Sequence, residues 1–329
     1  MKSRFFSAFR RAATLAAVLA IPAIASAAYP DKPINLVVPY SAGGAVDTVG
    51  RILGQVLNDH MSVPVVVENK GGFSGNVGAQ YVARSAPDGY SILMAALTSY
   101  SLNAKLMGQK AVGYSLLDDF KPVAVVGKLP VALVVNSAVP ANTLPELIDY
   151  LKKNPGKIAF GSSGPGSLEH AAGELFKLRA GVDILHVPYK GAAPAMVDLM
   201  SGQIQLMFAT TPTTLANLSS GRIKVLGVAS ATPVKVLPDA PTLASAGLKG
   251  VEATSIYGLL VPAKTPDDIV EKLNNALQKG LQDPEVQKKM SMQGIEIVST
   301  TPQSARALVA DEVGKWNRII DETHITLAN

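Results

Sequence analysis

The residues best placed for chemistry lie in three short turns that are rich in Gly, Ser and Ala and that each lead into a helical pattern. These turns are Tyr40–Gly44, Asn69–Asn76 and Gly161–Ser167. A helix N-terminus carries free N–H groups and the positive end of the helix dipole, so it attracts anions. Small residues also let a ligand approach the backbone closely. Any one of these turns can be a tight turn without a function. Because three of them occur in one chain, an anion-binding site is as good an interpretation as plain tight turns.

Charged or polar side chains lie close to the first turn and in a later loop. Asp47 and Arg51 are four residues apart on the helix that is predicted after the first turn, and this spacing suits an ion pair. The pair can brace the helix and the turn before it, or it can contact a ligand. Tyr189 and Lys190 form a second possible ligand clamp, although a lysine is more often solvated.

Catalysis by a serine nucleophile is a weaker interpretation. Such an enzyme needs a histidine base and an acidic partner beside the serine. Ser163 and Ser74 lie on sharp turns, but neither is framed as G-x-S-x-G. His170 follows Ser167 by three residues and can face the same pocket, where ligand binding or capping of the turn is favoured over catalysis.

No cofactor or metal is expected. The sequence contains neither G-x-G-x-x-G nor G-x-x-x-x-G-K-[ST], the patterns of dinucleotide and phosphate loops. The four histidines lack the spacing of metal ligands, and no acidic cluster accompanies them. The chain has no cysteine, so disulfides, thiolate metal sites and a cysteine nucleophile are excluded.

The first 28 residues predict a leader for export. Four basic residues precede an apolar run over residues 12–25, and Ala25-Ser26-Ala27-Ala28 supplies the small side chains of a cleavage site after Ala27 or Ala28. The run is shorter than the ~20 residues of a spanning helix, and Pro22 interrupts it. Without the leader, 26 basic residues face 25 acidic ones, a near-neutral balance that argues against nucleic-acid binding.

The later residues alternate between short β-rich runs and longer helical stretches, which predicts an α/β fold with mostly parallel strands. Strands are predicted at 34–39, 63–68, 91–95, 123–126, 131–135, 157–160, 184–187, 204–208 and 226–229. Helices are predicted at 46–57, 76–83, 143–153, 168–179 and 193–201, and from 266 to the end with one turn around Gly294. Ligands of open α/β sheets bind beyond the carboxyl ends of strands, where the three turns lie.

Several blocks in these same places are similar to one known family. They are residues 29–34, 38–44 with Asp47 and Arg51, 67–70, 86–90, 161–170, 186–194, 237–242 and 261–266. With these blocks in this order and spacing, the chain resembles the Bug family, the extracytoplasmic receptors of tripartite tricarboxylate transporters, over essentially all residues after the leader.

The resemblance implies an α/β periplasmic binding protein fold of two lobes, with a mostly parallel sheet in each lobe and the ligand cleft between them. The chain would cross between lobes near residues 127–131 and 253–259. Residues 29–127 and 255–329 would then form one lobe and residues 128–254 the other. We expect a monomer in the periplasm that is not an enzyme, closes on a small carboxylate by a hinge motion and delivers it to the membrane subunits of the transporter.

The resemblance also implies that the first turn holds a ligand carboxylate through backbone groups and bridging waters, and that two further loops complete the pocket. The candidate ligand-binding residues are Tyr40, Ser41, Ala42, Gly43, Gly44, Asp47, Phe73, Ser74, Thr98, Ser162, Ser163, Gly164, Ser167, His170, Tyr189 and Ala209.

Three positions depart from the family pattern. Phe73 lies in a turn that often reads Gly-Ala-Gly-Gly, Tyr257 replaces a frequent tryptophan, and Ala209 replaces an acidic residue that commonly follows the Met-Phe pair. A pocket without that carboxylate lacks a partner for an amine, which argues against an amino-acid ligand. Phe73 and Ala209 together favour a dicarboxylate or an aromatic carboxylate such as terephthalate.

Two other functions remain open at this point. The chain could be an exported sensor that presents the same ligand to a signalling domain rather than to a transporter. It could also be an exported serine hydrolase that uses Ser163 and His170.

Overall fold

The computed structural model describes residues 29–327, so the predicted leader and its cleavage site lie outside the described residues. The chain divides into two units, Met1–Asp31 and Lys32–Asn329. The described part of the first unit is limited to residues 29–31, and everything below concerns the second unit. Over residues 29–327, none of the helices combines the length and the apolar character that a bilayer crossing requires.

Ten strands and eleven helices are formed by residues 29–327. The strands are β1 Ile34–Val38, β2 Val65–Asn69, β3 Ser91–Ala96, β4 Phe120–Asn136, β5 Ala159–Ser162, β6 Leu185–Pro188, β7 Leu206–Thr210, β8 Ile223–Val228, β9 Thr254–Pro262 and β10 Glu296–Ile297. The helices are α1 Ala45–Met61, α2 Asn76–Ala83, α3 Leu97–Met107, α4 Gln109–Val112, α5 Leu144–Lys153, α6 Leu168–Ala180, α7 Ala192–Ser201, α8 Thr211–Leu218, α9 Asp267–Leu281, α10 Pro284–Met292 and α11 Pro302–Thr323. A single 3-10 turn, Phe73–Gly75, precedes α2.

The strands form one mixed sheet in the order β2-β1-β3-β9-β4-β7-β5-β6, with β8 and β10 pairing β4 beside this path. The predicted parallel pairing is present at both ends, where β1 pairs β2 and β3 and where β5 pairs β6 and β7. The middle is antiparallel, because β4 and β9 run against each other and against their outer neighbours. The α/β class is confirmed, and the sheet is mixed rather than mostly parallel because these two long strands lie at its centre.

Strand β4 corrects the prediction of two strands separated by a turn at Gly127–Pro130. These four residues continue the strand, with Gly127 opposite Tyr257 and Pro130 opposite Thr254. A side chain at Gly127 would lie 2.7 Å from the Ile295 side chain, so glycine fits a close approach here rather than a turn.

The partner strands of β4 change at the same place. Its residues up to Pro130 pair with β9, and its residues from Val131 pair with β7 and β8. This change coincides with the predicted crossing near residues 127–131. The limits of the two predicted lobes, at 127/128 and 254/255, stay a prediction.

Helix α1 lies close against the first two strands and so fixes the turn before it. Cβ atoms added at Gly50 and Gly54 would lie 2.7 Å from the Val38 side chain and 2.9 Å from the Val67 side chain. The absence of side chains at these two positions therefore lets the helix backbone approach β1 and β2. The N-terminus of α1 is held at the carboxyl end of β1, where the segment Tyr40–Gly44 connects them.

The hydrophobic core joins elements from distant parts of the sequence. One buried cluster includes Leu102 of α3, Phe160 of β5, Phe208 of β7 and Trp316 of α11. A second cluster contains Val37 and other residues of the β1 end of the sheet. The C-terminal helix thereby packs against strands that precede it by more than a hundred residues.

Candidate functional site

A cavity of about 70 Å³ lies where the carboxyl ends of several strands meet the N-termini of helices. By the measure that one water needs ~10–15 Å³, this space suits a small organic molecule. It is lined by Tyr40, Ser41, Ala42, Gly44, Ala45, Val46, Ala96, Ser99, Ser163, Leu168, Glu169, Lys190, Gly191, Ala192, Ala193, Pro194, Thr210, Thr213, Ser255 and Tyr257.

Three helices point N-termini without side-chain caps at this cavity. The N-cap residues of α1, α7 and α8 are Gly44, Gly191 and Thr210, and none of the three makes a side-chain capping hydrogen bond. All three N-caps line the cavity. Each helix end carries a partial positive charge and N–H groups that lack an intrahelical partner. Their convergence makes the cavity attractive to an anion without requiring a basic side chain in its wall.

Asp47 stabilises the loop between β1 and α1 through hydrogen bonds. Its carboxylate accepts hydrogen bonds from the backbone N–H of Gly43 at 2.9 Å, from Arg51 Nε at 2.9 Å and from Asn69 Nδ2 at 2.9 Å. Asn69 Nδ2 also donates to the Tyr40 carbonyl oxygen at 3.0 Å. Burial alone would raise the pKa of Asp47, but the hydrogen bonds from Arg51, Gly43 and Asn69 outweigh it and lower that pKa. Asp47 is therefore an ionised support of the loop, and it is absent from the cavity wall.

The mouth of the cavity is formed by the turn before α2. The Tyr40 hydroxyl donates to the Ser74 carbonyl oxygen at 3.0 Å, and Ser74 Oγ donates to the Pro165 carbonyl oxygen at 2.8 Å. Phe73 and Ser74 both have left-handed backbone conformations, with φ of 48° and 52°, which are uncommon for residues other than glycine. Phe73 is 51% exposed and lines the outer part of the cleft. The turn therefore places an aromatic ring at the entrance.

Glu169 gives the pocket a carboxylate, although Ala209 predicted a pocket without one. It lies in the first turn of α6, lines the cavity and is 7% exposed. Its Oε2 accepts a hydrogen bond from Ser163 Oγ at 2.7 Å. Burial raises the pKa of Glu169, although hydrogen bonds from Ser163, its own backbone N–H and Ser167 act in the opposite direction. The prediction that the pocket lacks a carboxylate is therefore wrong, because Glu169 supplies one from α6. The exclusion of an amino-acid ligand stays a prediction.

The histidines lie behind the cavity wall rather than in it. The rings of His170 and His186 stack at a centroid distance of 4.1 Å, and His170 Nδ1 accepts from the Gly166 N–H at 3.3 Å. Burial lowers the pKa of His170 to about 3, helped by the neighbouring His186, so its ring is neutral. Ser163 bonds to Glu169 and not to His170. The geometry thus provides no Ser163–His170 pair for the hydrolase hypothesis.

The predicted site residues separate into those that face the cleft and those that support it. The cavity and its mouth are lined by Tyr40, Ser41, Ala42, Gly44, Phe73, Ser74, Ser163, Gly164 and Tyr189. Gly43 lines a neighbouring groove beside α7 and α8. The walls of these cavities do not include Asp47, Thr98, Ser162, Ser167, His170 or Ala209.

The supporting residues have structural partners. Ser162 shares a 2.6 Å hydrogen bond with His186, and Ser167 caps α6 by accepting from the His170 N–H. Thr98 Oγ1 donates to Glu312 Oε1 at 2.6 Å and accepts from the Ile256 N–H at 3.1 Å. Ala209 is fully buried within β7. Ligand contact by these residues stays a prediction that the geometry does not favour.

Sequence reasoning missed several cavity residues. Besides Glu169, they include Ser99, Ser255, Thr210 and Thr213. Glu169 lies in the first turn of a helix, where acidic residues are common because they interact favourably with the helix dipole. Its presence there gave no separate signal of a binding site. The Thr-rich start of α8 could have been predicted as part of the site, because it follows a buried strand in the same way as the three small-residue turns.

Comparison with known proteins gives a family and a fold. Residues 49–325 match the family model described as the tripartite tricarboxylate transporter family receptor. A structure of the periplasmic binding protein BugD is 37% identical, with a TM-score of 0.85 and coverage of 91% of this chain and 99% of that one.

Two further similar structures contain ligands. A Rhodopseudomonas palustris protein with adipate is 32% identical, has a TM-score of 0.87 and covers 91% of this chain and 99% of its own. The protein MatC of the same species, with bound malate, is 29% identical, has a TM-score of 0.83 and covers 89% of this chain and 100% of its own. These similarities confirm the fold class predicted from the sequence.

Proposed function

The chain belongs to the receptor family of the tripartite tricarboxylate transporters, a family of solute-binding proteins rather than enzymes, and on this premise we propose that its cleft captures a small carboxylate. The observation that carries the proposal is the convergence of the N-termini of α1, α7 and α8 on one cavity, with no side-chain caps. A carboxylate placed there receives main-chain N–H groups and the favourable ends of three helix dipoles.

We propose a dicarboxylate or an aromatic carboxylate, such as terephthalate, as the ligand class. The similar structures that contain adipate and malate support a small dicarboxylate. Phe73 at the entrance and Tyr40 and Tyr257 in the cavity wall offer flat apolar faces to a ring or a short carbon chain. The cavity volume of about 70 Å³ favours a ligand of few carbons.

We further propose that the protein acts as a monomer in the periplasm, after cleavage near Ala27 or Ala28, and delivers its ligand to the membrane subunits of a tripartite transporter. The periplasmic location of the similar protein BugD supports export. Because β4 pairs with β9 up to Pro130 and with β7 and β8 beyond it, and because β9 begins opposite Pro130, we place the hinge for closure at Gly127–Val131 and at Ala253–Leu259.

The direct test is a thermal-shift screen of the chain from residue 29 onward with malate, adipate and terephthalate. Each acid is paired with its uncharged diamide of the same length, which serves as the matched control. A ligand at 100 times its dissociation constant adds about 2.7 kcal/mol to the free energy of unfolding. We expect at least one acid, and none of the amides, to raise the melting temperature. If amides raise it while no acid does, the anion-binding proposal is wrong.

A further inference from the structure

Glu169 presents a buried carboxylate to the cavity in which a carboxylate ligand is proposed to bind. None of the ion pairs within residues 29–327 includes Glu169. Its Oε2 accepts a hydrogen bond from Ser163 Oγ at 2.7 Å. The remaining charged residue in the cavity wall is Lys190, which is exposed at the rim. A bound dianion therefore shares this small cavity with a second acidic group.

The elements packed around Glu169 bring no other group that neutralises it. On α6 itself the titratable and charged groups are His170, Glu174, Lys177 and Arg179, of which Lys177 pairs with Glu174 and Arg179 lies in the last turn. On the neighbouring elements and loops they are Tyr40, Tyr100, Lys105, His186, Lys190 and Tyr257. The pKa values of the three tyrosines are raised, chiefly by burial, so they remain neutral phenols. His170 is neutral, His186 exchanges a hydrogen bond with Ser162, and Lys105 pairs with Asp321 at 2.6 Å.

Two carboxylates that share one cavity repel each other, and this repulsion raises the pKa of the one that binds a proton more readily. Burial already acts in that direction on Glu169. The ligand carboxylate is held in its ionised form by three helix ends, whereas Glu169 has the start of α6 and the hydroxyl of Ser163. Glu169 is therefore the group that takes up the proton. As a neutral acid it has an O–H group that can donate a hydrogen bond to a carboxylate oxygen.

Resting on the proposed function, we propose that Glu169 is a specificity-determining residue that becomes a neutral acid in the complex, so that capture of a dicarboxylate takes up one proton from solvent. The protonated Glu169 then donates a hydrogen bond to the ligand oxygen that faces α6. Because this group binds its proton more tightly in the complex than in the free protein, affinity is full below its pKa in the free protein. Affinity falls as pH rises toward its pKa in the complex, by about tenfold in Kd per pH unit.

The rival role for Glu169 is that of an ionised partner for an ammonium group on the ligand. The two roles predict opposite results for the isosteric amide. Glu169→Gln retains an N–H donor for a carboxylate, whereas it removes the negative charge that an ammonium requires.

The test is isothermal titration calorimetry with adipate, malate and terephthalate at several pH values between 5 and 8, each in two buffers of different ionisation enthalpy. The difference in heat between the buffers counts the protons taken up. We expect up to one proton per acid bound, with Kd rising as pH increases. Glu169→Gln is expected to bind with a Kd that is constant with pH and to take up no proton.

The matched control is Glu174→Gln. Glu174 lies on the same helix but outside the cavity wall, and its Oε2 lies 3.2 Å from Lys177 Nζ in an ion pair. This control should keep the proton uptake and pH dependence of the parent. Acid binding without proton uptake in the parent would overturn this inference while leaving the proposed function intact. Loss of binding in Glu169→Gln, with amino acids binding the parent, would overturn it in favour of ammonium recognition. If none of the three acids binds the parent at any pH, the proposed function fails first.

Discussion

At the scale of single residues, Asp47 shows how a charge can serve the site without touching the ligand. Its three hydrogen-bond donors come from the loop, from its own helix and from the end of β2. It is 3% exposed, so its interactions are only weakly screened by water. The first loop thereby keeps its shape while its outer N–H groups remain available to the cavity.

We predict that Asp47→Asn lowers the free energy of unfolding by about 1–3 kcal/mol at pH 7, the range for hydrogen bonds to a buried charge. The pKa of Asp47 is lower in the folded protein than its usual value of 3.8. Its stabilising contribution is therefore present above that value and is lost as pH falls through the lower, folded pKa. Urea denaturation between pH 3 and 7 should show the gap between parent and variant closing in acid. Asp59→Asn, an exposed change on the same helix, should stay within ~0.5 kcal/mol of the parent.

Thr98 offers a second residue-scale prediction, because it was predicted from the sequence as a ligand contact. In the structure it is fully buried and links β9 to α11 through Ile256 and Glu312. We expect Thr98→Val to lower the free energy of unfolding by about 1–3 kcal/mol, since the buried Glu312 loses a donor. The Kd for adipate, measured by calorimetry, should change less than twofold. A large change in Kd with unaltered stability would restore Thr98 as a ligand contact.

At the scale of elements, helix α6 connects the core to the site. Its first turn carries Glu169, and about one turn later Gly173 packs against Phe160 of β5. A Cβ atom at Gly173 would lie only 2.1 Å from the Phe160 ring. The helix can keep its present distance from the sheet only because this side chain is absent.

We predict that Gly173→Ala lowers the free energy of unfolding by about 1–3 kcal/mol, as expected when a packed core is overfilled. It should also weaken carboxylate binding, because a shifted α6 moves Glu169. The control is Gly314→Ala in α11, where nothing lies within 4 Å of the added atom. That change should stabilise the protein by about 0.5–1 kcal/mol through helix propensity. Equal destabilisation by both variants, in thermal unfolding, would contradict the packing argument.

Elements with a clear pattern were predictable from the sequence, and elements buried on all sides were not. The spacing of apolar residues in α1 and the short, mainly apolar run of β1 predicted both elements within four residues of their ends. Helix α3 was missed, because its first seven residues, Leu97–Asn103, are all buried and include serine, threonine and asparagine. Such a helix has no polar face and so shows no helical periodicity.

The candidate site was predictable where the backbone forms it and not where side chains form it. The first turn was found because its small residues follow a buried strand, and this arrangement is itself the source of its exposed N–H groups. Glu169 was missed, because whether a residue in the first turn of a helix faces a cavity or solvent depends on how the helix is rotated against the sheet. Gly127 and Pro130 predicted a turn, because sequence alone does not reveal that β4 passes closely by Ile295 and changes partners there.

At the scale of the whole second unit, helix α11 contributes to the buried clusters at both ends of the sheet. Ala305 and Val309 belong to the cluster at the β1 end. Trp316 of α11 packs with Leu102 and Phe160, and its Nε1 donates to Glu312 Oε1 at 2.8 Å. Glu312 also receives the hydrogen bond from Thr98. A part of the sheet that lost its structure would therefore expose core surface belonging to the other part.

We predict a single cooperative unfolding transition for the chain from residue 29 onward. Trp316 is the only tryptophan of the sequence and is fully buried, so its fluorescence reports on the packing of α11, the helix that contributes to both clusters. The fluorescence transition in urea should coincide with the loss of far-ultraviolet circular dichroism, which reports on all helices. Two separated midpoints would show instead that the two predicted lobes unfold independently.

The attraction of the cavity for anions resides in the main chain, at the starts of α1, α7 and α8, and this has a consequence for how such a receptor can change over generations. Substitutions in the wall alter size, shape and proton uptake while the helix ends stay in place. Duplicated copies of the gene could thus diverge toward new acids through few replacements at positions such as Phe73 and Glu169. The same property makes the chain a practical scaffold for biosensors, because ligand selectivity can be redesigned without changing the helix N-termini that attract the anion.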